Sequence, residues 1–472
     1  MSDLPKNWSE TKITELCEKV RGVSYKKDEA SKELKPHYVP LLRANNLDGD
    51  KLIFSDLVFV PPSRVSEEKM LKIGDIVVAM SSGSKSVVGK TAQLLEDWKG
   101  TFGAFCGVLR PTEQINQKFI GYYFRTKEYR NKISELSAGT NINNLKAEHF
   151  EQITIPIAPL NEQKRIVEKL EKLLGKVEAV QARLDKIPAI LKRFRQAVLA
   201  AACSGKLTAD WREKNQEEIK TVFESIGEIE IPTTWSWEKL PELGFLGRGK
   251  SKHRPRDAKH LYGGKYPFIQ TGAVARSNGR ITEHHQTYSE AGLAQSKLWE
   301  VGTVCITIAA NIADSAILTY PVCFPDSVVG FVANPEKTLS EYIEFFIRTA
   351  RNDLSQFAPA TAQKNINLAI LNEVLVPTPP LEEQKEIVRR VEDLFKFADQ
   401  IESRYQKARN YTDKLTQSIL AKAFRGELVP QDEHDEPADV LLERIKVQRN
   451  ENSSDKSHKP KKKAVNQTNL FE

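Results

Sequence analysis

The chain has 472 residues, too many for one compact core; at about 100 to 200 residues per domain there is room for two to four. With 40% hydrophobic, 28% charged and 8% aromatic residues, its composition excludes disorder throughout. No apolar run nears the roughly 20 residues of a membrane span, and the opening MSDLPKNWSE lacks the regions of a signal peptide, so a cytoplasmic protein is expected.

The net charge of +7 permits a nucleic-acid partner without requiring one. Five scattered cysteines, Cys17, Cys106, Cys203, Cys305 and Cys323, form no C-x-x-C pair and have no histidines at metal spacing. Buried thiols and no metal site are the expectation.

From Leu4 the segment "LPKNWSETKITEL" opens a first front. Short β-like runs, "KLIFSDLVFVPP", "IGDIVVAMSSG" and "AFCGVLRP", alternate with turn residues and lead into the helical "KFIGYYFRTKEYRNKIS". We read an α+β domain whose loops carry Arg43, Asn45, Asn46, Ser82 and Lys85. Arg suits guanine and Asn suits adenine in the major groove, although each residue alone is equally at home in an ordinary loop.

The chain then passes Pro156 into "PLNEQKRIV", Pro159 to Val167, which reads as a helix start with acids in the first turn. Leu160, Glu162 and Gln163 stand at its head. Ile166, Leu170, Leu173, Val177, Val180, Leu184, Ile187, Leu191, Phe194, Val198 and Ala201 follow in steps of four and three, all apolar. Through about 43 residues such a helix would span on the order of 65 Å, the length of a spacer or docking surface. Pro188 predicts a kink or break.

A second front opens with "IPTTWSWEKLPEL" and repeats the organisation: "KYPFIQTG", "VGTVCITIAAN" and "SVVGFVANP", then the helical "SEYIEFFIRTARNDLSQF". Its segment "GRGKSKHRPRDAKH" includes Arg248, Lys250, Lys252, Arg254 and Arg256, a density suited to phosphates, or else a solvated charged loop. Gln270, Thr271, Arg276, Asn278 and Asn311 are the base-edge candidates.

Within this front "GFLGRGKS", Gly244 to Ser251, satisfies the phosphate-loop pattern, and "FLGRG" imitates a glycine motif for S-adenosylmethionine. An ATPase or methyltransferase is therefore the rival reading. Pro241 just before and Pro255 just after argue against the strand, loop and helix such a site needs. No Ser/His/Asp arrangement or acidic nuclease cluster stands out, so nothing in the sequence calls for an enzyme.

"PLEEQKEIV", Pro380 to Val388, then returns the earlier helix start, 221 residues on from Leu160 to Leu381. About a third of the positions from Pro156 to Leu207 are identical at that fixed shift, which marks an internal repeat. The second head carries Leu381, Glu383 and Gln384, and its stripe includes Ile387, Leu394 and Ile401. Upstream the shift drifts, pairing Trp8 with Trp235 at 227 and Arg125 with Arg348 at 223. Loops accept length changes, whereas a packed helix loses the phase of its stripe with one deletion. A purely structural coiled-coil scaffold is the third reading.

A front opening "LPKNW" or "IPTTW", then "IPIAPLNEQKRIV" or "VPTPPLEEQKEIV", then a rod ending "AACSGKL" or "AFRGEL", resembles the specificity subunit of type I restriction-modification systems. The downstream "DEPADVLLERI" is similar to that family's C-terminal helix. The resemblance implies an α+β fold: two target recognition domains joined by two long antiparallel coiled-coil helices, duplicated with pseudo-twofold symmetry. On this sequence that gives a first recognition domain at 1–157 and a central helical region at 158–212. A second recognition domain follows at 213–378, a distal helical region at 379–450 and a disordered basic tail at 451–472.

Double-stranded DNA, two modification subunits and restriction subunits are the implied partners. Each domain would read half of a split, asymmetric target, with the helices setting the spacing and docking the modification subunits. The chain would bind no cofactor itself, leaving S-adenosylmethionine, ATP and Mg2+ to the partner subunits.

Overall fold

The computed structural model describes residues 4–457 apart from 83–86, 138–143, 216–222, 227–228, 253–254, 256, 310–312 and 351–367. The chain forms two compact units: Met1–Leu184 with Ala408–Glu472, and Asp185–Lys407. Each unit therefore takes one front and parts of both long helical regions.

In the first unit, Ser9–Lys12 pairs antiparallel with Thr154–Ile157, so the entry and exit strands of the front lie side by side. A four-stranded antiparallel sheet follows, in the order Cys17–Arg21, Cys106–Pro111, Ile76–Ala79, Thr91–Gln93. A smaller sheet joins Val58–Val60, Val39–Leu42 and Thr101–Phe102. All four residues of Ile76–Ala79 are buried because both faces of that strand are covered. Ile76 and Val78 meet Phe119, Ile120 and the helical residues, while Val77 and Ala79 pack with Leu42 and Phe102.

The larger of these cores does not end with the front. It runs on through Ile166, Leu170, Leu174 and Val177 to Leu420, Ala423, Phe424, Leu441 and Ile445. At about 25 cal/mol per Å² of apolar surface buried, this shared core makes the front and its helices one cooperative body.

The second unit repeats the plan. Ser236–Lys239 pairs with Leu375–Thr378. A five-stranded sheet runs in the order Gly244–Arg248, Val328–Ala333, Val304–Thr307, Ser315–Leu318, Arg280–Ile281. A four-stranded sheet holds Gln286–Tyr288, Tyr262–Phe268, Val322–Cys323 and Leu298–Trp299. Here Val304, Ile306 and Phe331 pack with Tyr342, Phe346, Val198, Leu199, Ile387 and Val391.

The second long helix, Leu381–Phe424, is unbroken over 44 residues. The first copy is broken into Leu160–Leu184 and Ile187–Cys203. Pro188 explains the stop: it lacks the N–H that would bond to the Leu184 carbonyl, and its ring crowds that oxygen. The helical regions are antiparallel within each unit. Gln181 donates to Asp413 at 3.0 Å, while the earlier Glu162 accepts from the later Gln431 at 2.7 Å. Likewise Arg195 meets Asp399 at 2.7 Å, while Arg390 reaches back to the Leu207 carbonyl at 2.8 Å.

The apolar stripe is buried most continuously at its two ends. Towards the middle Val180 is 45% exposed and Leu184, Ile187, Ile401, Tyr405 and Ala408 are half-buried, while Leu191, Ala398 and Thr412 stay buried. The C-terminal helix Ala438–Ser457 runs past residue 450, where the sequence reading begins a disordered tail; 451–457 are helical.

Candidate nucleic-acid interface

Each front is fastened to its helix by the same polar joint. In the first unit, Trp8 Nε1 donates to Glu162 Oε2 at 3.0 Å, and Gln163 accepts from the Asn116 backbone N–H at 3.1 Å while donating to the Ala158 carbonyl at 2.7 Å. In the second, Trp235 Nε1 donates to Glu383 Oε2 at 3.0 Å. Gln384 accepts from the Leu339 backbone N–H at 2.9 Å and donates to the Pro379 carbonyl at 2.9 Å.

These four Glu and Gln side chains are almost fully buried, so their hydrogen bonds are obligatory. The remaining carboxylate oxygen is satisfied differently. Gln431 serves Glu162, whereas Glu383 takes Thr208 Oγ1 at 2.7 Å and an ion pair with buried Arg212. Burial pushes the Glu162 carboxyl up, and the hydrogen bonds from Gln431 and Trp8 oppose that rise.

Two glycines complete the joints. Gly205 and Gly426 follow their helices at φ +74° and +73°. A Cβ on Gly205 would stand 2.4 Å from Pro232, and one on Gly426 would stand 2.3 Å from Pro5. The repeated Leu-Pro or Ile-Pro, Trp, Glu-Gln and Gly of the sequence thus meet at one place in each unit. Sequence reasoning missed the Trp–Glu bond. Its signal was the recurrence of Trp8 and Trp235 together with Glu162 and Glu383.

This placement corrects one expectation. Glu162, Gln163, Ile166, Leu170, Glu383, Gln384 and Ile387 are buried inside their own units, so another subunit cannot reach them. Leu160, Leu173, Leu381, Leu394 and Ile401 are half-buried.

The candidate base readers fall into distinct groups. Asn46 is 1% exposed; its amide accepts from the Arg43 backbone N–H at 2.9 Å and donates to the Ile53 and Ser55 carbonyls. It organises the loop and cannot reach a base. Arg43 and Asn45 both bond to Asp56 Oδ2, at 2.9 and 3.1 Å, so one carboxylate holds two candidate readers in place. Ser82 is half-buried.

In the second front Arg248, Lys250 and Lys252 are exposed along one edge, with Arg248 donating to the Asp326 carbonyl. Gln270 is exposed and donates to Gln286 Oε1 at 3.1 Å, which leaves its own carbonyl and second N–H without a hydrogen-bond partner among the described residues, the pair an adenine edge requires. Gln270, Thr271 and Gln286 line one cavity of about 410 Å³ with Tyr262 and Asp257. Arg276 ends the Thr271–Arg276 helix and Asn278 follows it; both are exposed, with Asn278 accepting from Arg348 at 3.3 Å. Lys85, Arg254, Arg256 and Asn311 lie outside the described residues.

The phosphate-loop pattern is not a phosphate loop. Gly244–Arg248 is a strand paired residue for residue with Val329–Ala333. The helix Leu240–Leu243 precedes it, and among the described residues the next helical turn is Lys259–Leu261. The glycines answer to packing: a Cβ on Gly247 or on its partner Gly330 would stand 2.7 or 2.6 Å from the Trp299 ring. That indole stacks on Phe324 at 5.0 Å, with the Lys297 ammonium 3.7 Å from its centroid.

All five cysteines are buried and free of disulfides. Burial alone pushes Cys106 up to about 12, and it is the main cause of the rise to about 11 at Cys323. No group of three His, Cys, Asp or Glu that could hold a metal occurs among the described residues.

Comparison with known proteins agrees with this geometry. The family described as type I restriction modification DNA specificity domain matches residues 5–189 and again 232–408. The chain is 39% identical to the type I restriction enzyme EcoKI specificity subunit of Escherichia coli K12, over 97% of this chain and 99% of that one. It is 38% identical to the StySPI specificity subunit of Salmonella potsdam, over 94% and 96%. Among solved structures, a chain described under complex assembly and conformational transition of the type I R-M system shares the fold. Its TM-score is 0.70 at 20% identity, covering 90% of this chain and 99% of that one. The HsdS subunit from Thermoanaerobacter tengcongensis follows at 0.52 and 19%, covering 90% and 98%.

Proposed function

The chain belongs to the type I restriction-modification specificity subunits, and from that premise we propose how its parts divide the work. Each front reads one half of a split DNA target, and because the two fronts differ in sequence, the half-sites differ too. The helices hold the readers at a set separation, so the gap between half-sites comes from a rod rather than from a dimer axis.

The observation that carries this reading is the repeated joint. Trp8 with Glu162 and Trp235 with Glu383 fasten two different fronts, in the same way, to two matched helices. A reader locked to a rod transmits its position to the other end; a reader on a flexible linker does not.

The half-exposed middle of the helices supports docking of two modification subunits, and restriction subunits would complete the complex. In that assembly this chain supplies recognition and no catalytic group. S-adenosylmethionine would be used by the modification subunits, and ATP with Mg2+ by the restriction subunits. No helix among the described residues is long and apolar enough to cross a membrane, consistent with work in the cytoplasm.

Replacing residues 1 to 150 with those of another specificity subunit, and mapping methylated adenines in cells, tests the division of labour. One half-site should change and the other persist. A change in both would refute modular reading, and sequence-independent methylation would leave only a scaffold.

A further inference from the structure

We infer that a basic cleft in the first unit, between the front and its helices, grips the phosphate backbone of DNA without regard to base sequence. This rests on the DNA-recognition reading above and adds a binding surface to it.

The cleft has a volume of about 710 Å³ and is lined by seven Lys or Arg against three acids, an excess of four positive charges. The acids are already engaged. Asp50 pairs with Arg125, Glu178 meets Arg125 at 3.5 Å and Lys51 at 3.8 Å, and Asp413 accepts from Gln181 at 3.0 Å. Lys90, Lys127 and Lys414 line the same cleft with no carboxylate partner among the described residues. Like charges so gathered repel one another, and neutralisation by a polyanion removes that cost.

Two further observations point to phosphates. The apolar liners Phe124, Leu174 and Leu420 are 2%, 3% and 0% exposed, so the cleft offers no anchor of the kind that dominates protein–protein contacts. One wall is the hairpin of Leu47–Asp48 and Lys51–Leu52, which continues directly from Arg43 and Asn45. Its tip is clamped by the Asp50–Arg125 pair to the turn that follows the Gln117–Tyr123 helix, and Lys51 and Arg125 both meet Glu178 on the long helix, so the reading loop and the cleft share a rigid support.

The second unit supplies an internal control. At repeat-equivalent positions Arg348, Lys192 and Glu402 replace Arg125, Asp413 and Gln181, and that cleft holds three cations against two acids. The hollow belongs to the repeated architecture, whereas the charge belongs to the first unit alone. Packing therefore does not require the charge, and a ligand does.

The test uses the full chain assembled with its modification subunits and two short duplexes, one bearing the mapped target and one of mixed sequence without it. Lys90→Ala, Lys127→Ala and Lys414→Ala together should weaken binding to both duplexes and lower the slope of log affinity against log salt by about 0.9 per lost contact. Arg at the same three positions should restore the slope. Lys192→Ala, in the equivalent cleft, should leave it unchanged. An unaltered slope in the triple Ala variant overturns the inference, as does a normal slope with loss of the modification subunits, which would make the cleft a protein-docking surface. Failure of the unmodified complex to prefer the target duplex would instead defeat the recognition reading itself.

Discussion

Glu162 and Glu383 occupy equivalent places in the repeat, yet their removal should have unequal consequences. Glu383→Ala strips the acceptor from Trp235 and Thr208 and leaves the Arg212 guanidinium, 3% exposed, without its counter-ion. Breaking a buried ion pair from one side costs about 3 to 5 kcal/mol, and each orphaned neutral donor adds about 1 kcal/mol. Glu162→Ala orphans the Trp8 indole N–H, while exposed Gln431 can turn to water, for a total of about 2 to 3 kcal/mol. The difference of about 3 to 4 kcal/mol should appear in urea unfolding as a midpoint lower by roughly 1 to 2 M for Glu383→Ala than for Glu162→Ala. Tryptophan fluorescence is the natural probe because Trp8 and Trp235 sit at the joints. Equal destabilisation, or a larger loss from Glu162→Ala, would refute the claim that the Arg212 pair makes the second joint the more demanding one.

Gly205→Ala and Gly426→Ala each combine a left-handed backbone with a Cβ inside 2.5 Å of a proline ring, and should cost about 2 to 4 kcal/mol by thermal or urea unfolding. Gly175→Ala, in the Leu160–Leu184 helix with open space around its Cβ, should stabilise by about 0.5 to 1 kcal/mol in the same assay. Buried Glu344, beside Ser315 and Arg348, has its carboxyl pushed up to about 7 by desolvation. Because the folded value exceeds the unfolded one, its contribution is full below about pH 4.5 and is lost as pH rises to about 7, on the order of 3 kcal/mol. Glu344→Gln should therefore flatten the thermal midpoint across that window; an unchanged pH profile would refute the assignment. Lys250→Ala should leave methylation by the assembled complex intact, weakened no more than loss of one phosphate contact allows, since Gly244–Arg248 is a paired strand.

The sequence alone was enough for the duplication, the two α+β fronts, the helix starts at Leu160 and Leu381, and the break ahead of Pro188. These are local or periodic properties: an apolar residue every third or fourth position, a proline without an N–H, a shift that stays at 221 where a helix forbids insertions. The tertiary structure decided what each polar residue does. Asn46 and Gln270 are both amides in loops, but one is consumed by three loop hydrogen bonds and the other stands exposed beside Gln286. Gly244 to Ser251 fits a phosphate loop by pattern, and only strand pairing and the Trp299 ring show why its glycines are there. Glu162 and Gln163 stand at a helix start by sequence, and only folding brings Trp8, Asn116 and Gln431 to them across 154, 47 and 269 residues of chain. Burial and long-range partners decide whether a polar side chain is spent within the fold or free for DNA, and neither is written in local spacing.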